Sequence, residues 1–269
     1  MTVNNEVKAV IFDLDDTLLW DERSIRESFA AVAEEAARRT GIDAQAFEEA
    51  VRGRARELYA GYDTYPFTQM IGINPFEGLW ANFDKGEQPE FRKLQEIAPA
   101  YRKEAWRLGL ADLGIEDEAL ALELSDRFAA ERRSRPHVYE ETYEVLDALK
   151  GEVKLLLLTN GCPSLQQEKL DGVPQLVPYF DHIVISGTFG KGKPDPAIFR
   201  HALSLLGVEP EEALMVGDKQ STDIRGALDT GIPSVWINRG GRPPHSGIVP
   251  VHQIESLRDL PQLAGIRVS

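Results

Sequence analysis

Asp13 and Asp15 stand two residues apart at the end of a short apolar run, with Asp16 and Thr17 directly behind them. Alternate residues of a strand share a face, so the two carboxylates can point the same way where the chain leaves a sheet. Carboxylates that close repel one another unless a cation or a shared proton lies between them. The pair therefore suits a nucleophile beside an acid/base, or two ligands of one metal ion. Three later clusters have comparable chemical content. Thr159-Asn160-Gly161 follows a run of leucines, and a hydroxyl with exposed backbone N–H groups at a strand-to-helix turn makes a phosphate cradle, although such residues also serve as plain turn residues. The stretch Gly190 to Pro196 (GKGKPDP) precedes a helical pattern. One lysine held there by a rigid proline turn can neutralise an anion, while Asp195 caps the helix and Pro196 fills its first turn. Finally, Gly217-Asp218 is followed by Asp223. Asp218 offers the oxygen donor that a hard cation such as Mg²⁺ prefers, and Asp223 reads as a second ligand, an outer partner, or a charge near a helix start.

Each cluster must be positioned by something rigid, and each follows an apolar run. Val7 to Leu14, Val153 to Leu158, His182 to Ile185, Ala213 to Val216 and Ser234 to Ile237 read as buried strands. Helical patterns separate the later ones, at Pro163 to Lys169, Asp195 to Leu206 and Ser221 to Asp229. Strand and helix alternating in this way predict an α/β fold with a parallel sheet, and ligands of such sheets bind at the carboxyl ends of the strands. Between the first strand and the second the rhythm breaks. Ser24 to Arg39, Ala44 to Ala60, Glu90 to Leu110 and Asp117 to Arg133 show helical spacing, and the aromatic, Gly/Pro-punctuated stretch Tyr65 to Asp84 reads as an irregular connection. This predicts an inserted α-helical domain over 21–136, with 1–20 and 137–269 forming the sheet core. A last strand and a short helix at an edge are expected between Val251 and Leu263.

Lys+Arg 30 against Asp+Glu 44 gives a net charge of −14, a field that repels nucleic acid and anionic membranes. Basic residues near a phosphate site are therefore local exceptions. The single cysteine, Cys162, forms no intrachain disulfide, and no run approaches the ~20 apolar residues that span a bilayer. The expectation is a soluble, cytoplasmic protein without a signal peptide, a monomer or homodimer, with neither a membrane nor a nucleic acid as partner.

Taken together, DLDDT (Asp13 to Thr17), TNG (Thr159 to Gly161), KPDP (Lys193 to Pro196) and GDKQSTD (Gly217 to Asp223) closely resemble the motifs of the haloacid dehalogenase superfamily, across essentially the whole chain. The resemblance implies a Rossmann-like core. The KPDPAIF and TDIRGA contexts resemble the subclass whose helical cap is inserted after the first motif. By the same resemblance, Asp13 attacks phosphorus to form an aspartyl-phosphate, and Asp15 serves as general acid and then base. Thr159, Asn160 and Lys193 hold the phosphate, with the backbone around Asn160 contributing and Lys193 also balancing Asp13. Mg²⁺ is implied on Asp13, Asp218, the backbone carbonyl of Asp15, and Asp223 directly or through water. Magnitude explains why so many groups are needed. Phosphate-monoester hydrolysis calls for accelerations of up to ~10²¹, whereas one acid/base supplies ~10²–10⁴.

The implied activity is a Mg²⁺-dependent phosphatase acting on a small phosphorylated metabolite, with phosphoserine slightly favoured over sugar phosphates, phosphoglycolate and nucleotides. A phosphomutase shares all four motifs, and a carbon–halogen hydrolase of the superfamily lacks the second aspartate that stands here as Asp15. A non-catalytic phosphometabolite-binding module is the alternative from another class. Other residues receive plainer readings. Cys162 has Glu168, not arginine, six residues on and reads as a packed side chain. The five histidines lack metal spacing, and Tyr59, Tyr62, Tyr65 and Phe67 read as packing of the helical insert. Trp20 reads equally as a pocket wall or a packing residue, and Arg132, Arg133 and Arg135 as a solvated helix end.

Overall fold

The computed structural model describes residues 6–266. Its contacts divide the chain into two compact units, one of residues 1–20, 138–160 and 173–269, the other of residues 21–137 and 161–172.

The first unit is built on six parallel strands: β1 (Ala9–Phe12), β2 (Lys154–Thr159), β3 (His182–Ile185), β4 (Ala213–Gly217), β5 (Ser234–Ile237) and β6 (His252–Ile254), in the order β3-β2-β1-β4-β5-β6. The register pairs Phe12 with Leu157 on one side and with Val216 on the other, so the ends of β1, β2 and β4 lie side by side. Near-continuous apolar runs produce this arrangement because a central parallel strand is covered on both faces. Ala9 and Ile11 join Leu156, Leu158 and Met215 in a core closed by Ile198, Phe199 and Leu203 of the helix Pro196–Leu206, while Val10 and Phe12 are buried on the opposite face. The order reverses between β1 and β4, and such a switch point opens a crevice at the carboxyl ends of the strands.

The second unit is helical. Asp21–Thr40, Ala44–Ala60, Pro89–Ala111 and Glu118–Ser134 are its long helices, joined by Pro163–Asp171. Phe29, Trp106 and Phe128 pack at its centre with ring centroids 4.5–5.9 Å apart. Two expectations change here. The stretch expected to be irregular contains the helices Tyr65–Ile71 and Pro75–Gly78. The second is fixed by local chemistry that outweighs its glycines and prolines: Pro75 fills the first turn, and Asn74 and Glu77 form a reciprocal capping box. Arg132 is not solvated. It is 4% exposed, donates from Nη2 to Asp21 Oδ1 at 2.6 Å and lies over the Trp80 ring. Lys169 Nζ lies 3.8 Å from the same carboxylate and 3.0 Å from buried Glu77. A charged side chain can be buried when it is paired in this way. No helix among the described residues is long and apolar enough to cross a membrane.

Candidate active site

The turn after β1 is held from several directions. Asp13 N–H donates to Val216 O at 2.9 Å, extending the β1–β4 ladder by one residue. Asp16 then adopts φ +59°, a left-handed conformation that aspartate tolerates better than most residues, and its N–H closes on Leu19 O at 2.7 Å. Leu18 O accepts from Tyr139 N–H and from the Thr142 hydroxyl, and Arg239 donates to Thr17 O at 3.1 Å. Arg239 is also paired with Glu141 and lies 3.7 Å over the Tyr139 ring, on which Trp20 stacks. Asp13 is thus carried on a strand end with little freedom.

Lys193 comes to Asp13 from far along the chain. Its ammonium is 2% exposed and lies 2.6 Å from Asp13 Oδ1 and 2.7 Å from Asp223 Oδ1. Asn160, one residue beyond β2, fixes its main chain: Nδ2 donates to Lys193 O at 2.9 Å, and Oδ1 accepts from Lys193 N–H at 2.8 Å. The Asn160 side chain is therefore committed to the lysine. Thr159 is buried at the end of β2. Lys191, the other lysine of that loop, is half exposed and pairs with Asp195, which also caps the helix that follows.

Asp218 and Asp223 approach from the end of β4. Asp223 sits on a π-helical turn, Gln220–Ile224, and its Oδ2 accepts from Lys219 N–H at 3.0 Å. Its carboxylate folds back over Gly217 so closely that a Cβ there would lie 2.4 Å from Asp223 Cγ. Only glycine admits that approach. The Thr17 hydroxyl accepts from Asp218 N–H at 3.1 Å and faces Asp13 Oδ2 at 3.4 Å, joining the two strand ends. Oxygens of Asp13, Asp218 and Asp223 all lie within 4.8 Å of one another, and the half-buried Asp15 carboxylate is outside that set.

The crowding perturbs Asp13, Asp218 and Lys193. Burial pushes Asp13 up to about 6, against the pull of Lys193. Burial, with Asp13, Asp223 and Asp16 nearby, pushes Asp218 up to about 8. For Lys193 burial favours the neutral amine, but Asp13 and Asp223 outweigh it and hold the ammonium above the ordinary lysine range. Three acids share one buried lysine, which contacts only Asp13 and Asp223, and hard oxygen donors at this spacing fit a divalent cation such as Mg²⁺.

Residues 7–231 match the family model for a hydrolase described as haloacid dehalogenase-like. The chain belongs to the haloacid dehalogenase-like hydrolases. A phosphoserine phosphatase of Thermus thermophilus is 39% identical over 254 residues, covering 94% of this chain and 98% of that one. A glyceraldehyde 3-phosphate phosphatase of Methanopyrus kandleri is 31% identical over 266 residues, covering 94% and 95%. Among solved structures, the HAD-hydrolase YfnB from Bacillus subtilis, bound to magnesium, aligns with a TM-score of 0.66 at 18% identity, covering 97% and 100% of the two chains. At that identity the likeness speaks to the fold alone.

Within this haloacid dehalogenase-like sheet unit, Asp13, Lys193, Asp218 and Asp223 converge, Asn160 braces Lys193, and Asp15 stands beside them in sequence without joining the carboxylate cluster. Thr17, Gly217, Asn238, Arg239 and Arg242 shape the same region and were not singled out as site residues from the sequence. Thr17 and Gly217 lie inside the quoted motifs, which is a usable signal. Arg239 and Arg242 lie in an NRGGRPP loop whose composition indicates only a turn.

Proposed function

We propose that this chain is a Mg²⁺-dependent phosphatase that hydrolyses a small phosphorylated metabolite through an aspartyl-phosphate on Asp13. The observation that carries the reading is the buried Lys193 ammonium held between Asp13 and Asp223, beside a third acid, at the switch point of the sheet. Two relatives that match along nearly the full chain are named as phosphatases, which supports a phosphoester over a carbon–halogen substrate.

Asp13, raised only to about 6, is ionised at neutral pH and available to attack phosphorus. Lys193 offsets its charge as a phosphate dianion approaches. Thr159 and the backbone N–H groups near Asn160 receive the phosphoryl oxygens, while the Asn160 side chain keeps Lys193 in place. Asp15 protonates the departing alkoxide and then takes the proton of the water that opens the aspartyl-phosphate. Asp13, Asp218, Asp223 and the carbonyl of Asp15 are the groups that would hold Mg²⁺, which supplies charge neutralisation at the transferring phosphoryl group. In this reading the helical unit is a cap that selects the substrate. Phosphoserine is the favoured candidate, from the 39% identical relative.

The test is a panel of phosphomonoesters with Mg²⁺, phosphoserine included. Turnover is expected for the wild type, none for Asp13→Asn, and a loss of about 10²–10⁴ for Asp15→Asn on an alkyl phosphate. Hydrolysis of no phosphoester, or an Asp13→Asn protein that turns over like wild type, refutes the reading. Full turnover by Asp15→Asn removes the acid/base role alone.

A further inference from the structure

Two asparagines perform the same task at two edges of the site. Each stands immediately beyond a strand, Asn160 after β2 and Asn238 after β5, and each makes a two-bond clamp on the main chain of a cation. Asn238, 2% exposed, donates from Nδ2 to Arg242 O at 3.0 Å and accepts from Arg242 N–H at 2.9 Å. The clamped cations differ in how they hold their acids. Lys193 is enclosed, with two carboxylate contacts of 2.6 and 2.7 Å. Arg242 has a side chain 52% exposed, and both of its terminal nitrogens reach Asp218 Oδ2 only at 3.2 Å. Its firmer contact, at 2.8 Å, is to the Asp218 carbonyl.

We propose that Arg242 is the removable counter-ion of the acidic cluster, covering the Asp218 carboxylate, once that group is ionised, until a divalent cation takes it, and thereby lowering the affinity for the cation. The inference rests on the reading that Asp218 is a ligand of Mg²⁺. Lys193 cannot play this part, because leaving would strand two buried carboxylates. Arg242 gives up only two long contacts, both of 3.2 Å to one carboxylate oxygen, and its clamped main chain keeps it at the edge of the site once its head group is displaced. Loss of the side chain leaves Asp218 in place, because the Trp236 indole N–H still donates to the Asp218 carbonyl at 2.9 Å.

The experiment is calorimetric titration with MgCl₂ of the wild type, Arg242→Gln, Arg242→Lys and Asp218→Asn, at pH 9 to limit proton competition and at low and high salt. A long ion pair whose arginine is half exposed is worth about 1 kcal/mol, so Arg242→Gln is expected to bind Mg²⁺ about two- to fivefold more tightly at low salt. The gain shrinks at high salt, and Arg242→Lys behaves like wild type. Equal or weaker Mg²⁺ binding by Arg242→Gln overturns the counter-ion role while leaving the metal reading intact. Absence of Mg²⁺ binding by the wild type, or binding unaffected by Asp218→Asn, overturns the metal reading and this inference with it.

Discussion

The raised pKa of Asp218 should make divalent-cation binding steeply dependent on pH. Its carboxyl is pushed up to about 8 by burial and by the neighbouring Asp13, Asp223 and Asp16. A cation must therefore displace a proton at any lower pH. At pH 6 this carboxyl is two units below its midpoint, so the affinity for Mg²⁺ should be ~100-fold weaker than at its plateau, a difference of about 3 kcal/mol. Asp13, raised to about 6, adds a second proton only near the bottom of this range. Both acids hold protons in the native state that the unfolded chain has already lost above pH 4. With more protons bound to the native state, stability falls as pH rises through this window, reaching its full penalty above about 8. The cation relieves that penalty, so the rise in Tm produced by Mg²⁺ should be larger at pH 9 than at pH 6. Calorimetric titration from pH 6 to 9, in two buffers of different ionisation enthalpy, measures affinity and proton release together. About one proton per Mg²⁺ should be released at pH 7 and almost none at pH 9. An affinity constant across that range, with no proton release at pH 7, refutes the assignment of the crowded acids to the cation.

Three other perturbations separate positioning from contact. Gly217→Ala places a methyl 2.4 Å from Asp223 Cγ, so the carboxylate must leave Lys193; about 1–3 kcal/mol of stability should be lost by denaturant melt, and kcat should fall more than KM rises. Asn160→Ala removes both bonds to the Lys193 main chain, at a cost of about 1–3 kcal/mol, and its turnover should drop although neither Asp13 nor Asp15 is touched; wild-type turnover would show that the clamp is unnecessary. Arg132→Ala leaves the Asp21 carboxylate buried with only the more distant Lys169 and should cost about 3–5 kcal/mol. Asp21, although burial works against it, is held below the ordinary aspartate range by Lys169 and Arg132, so the wild-type contribution of this cluster is present near neutral pH and is lost as pH falls below the carboxylate range. A variant melting within 1 °C of wild type at pH 7 would contradict the burial argument, since about 1 kcal/mol already shifts Tm by roughly 2–4 °C in a chain of this size.

The sheet was legible because each of its strands announces itself locally. VKAVIFDL, VKLLLL and ALMV are apolar enough to be read alone, and their observed spans differ from the expected ones by no more than a residue or two at an end. Arg132 shows the opposite case. Its local sequence, ERRSR, is that of a solvated helix end, and only Asp21, 111 residues earlier, makes burial tolerable. Tyr65 to Asp84 failed for a related reason. Its glycines and prolines were read as breakers, yet Pro75 and the Asn74–Glu77 pair start a short helix. Asn160 was legible as a member of a cradle, but the use of its side chain as a brace depends on a loop 33 residues away.

The placement of Lys193 also sorts the acids by chemistry. It contacts Asp13 and Asp223 and leaves Asp218 without a buried cation at hydrogen-bonding distance. Asp13, raised to about 6, is ionised at neutral pH, whereas Asp218, raised to about 8, retains its proton there. Two acids at neighbouring strand ends thus sit in different environments, Asp13 beside a buried ammonium and Asp218 not, and such a difference suits them to different work. A nucleophile must be charged before its substrate arrives, and a metal ligand need only become charged when its metal does. Exchanging the charges, with Lys193 beside Asp218 instead, would take from Asp13 the cation that favours its ionised form. On the proposed mechanism, the clamp of Asn160 on Lys193 therefore fixes more than a position: it keeps a buried cation beside the acid that would attack.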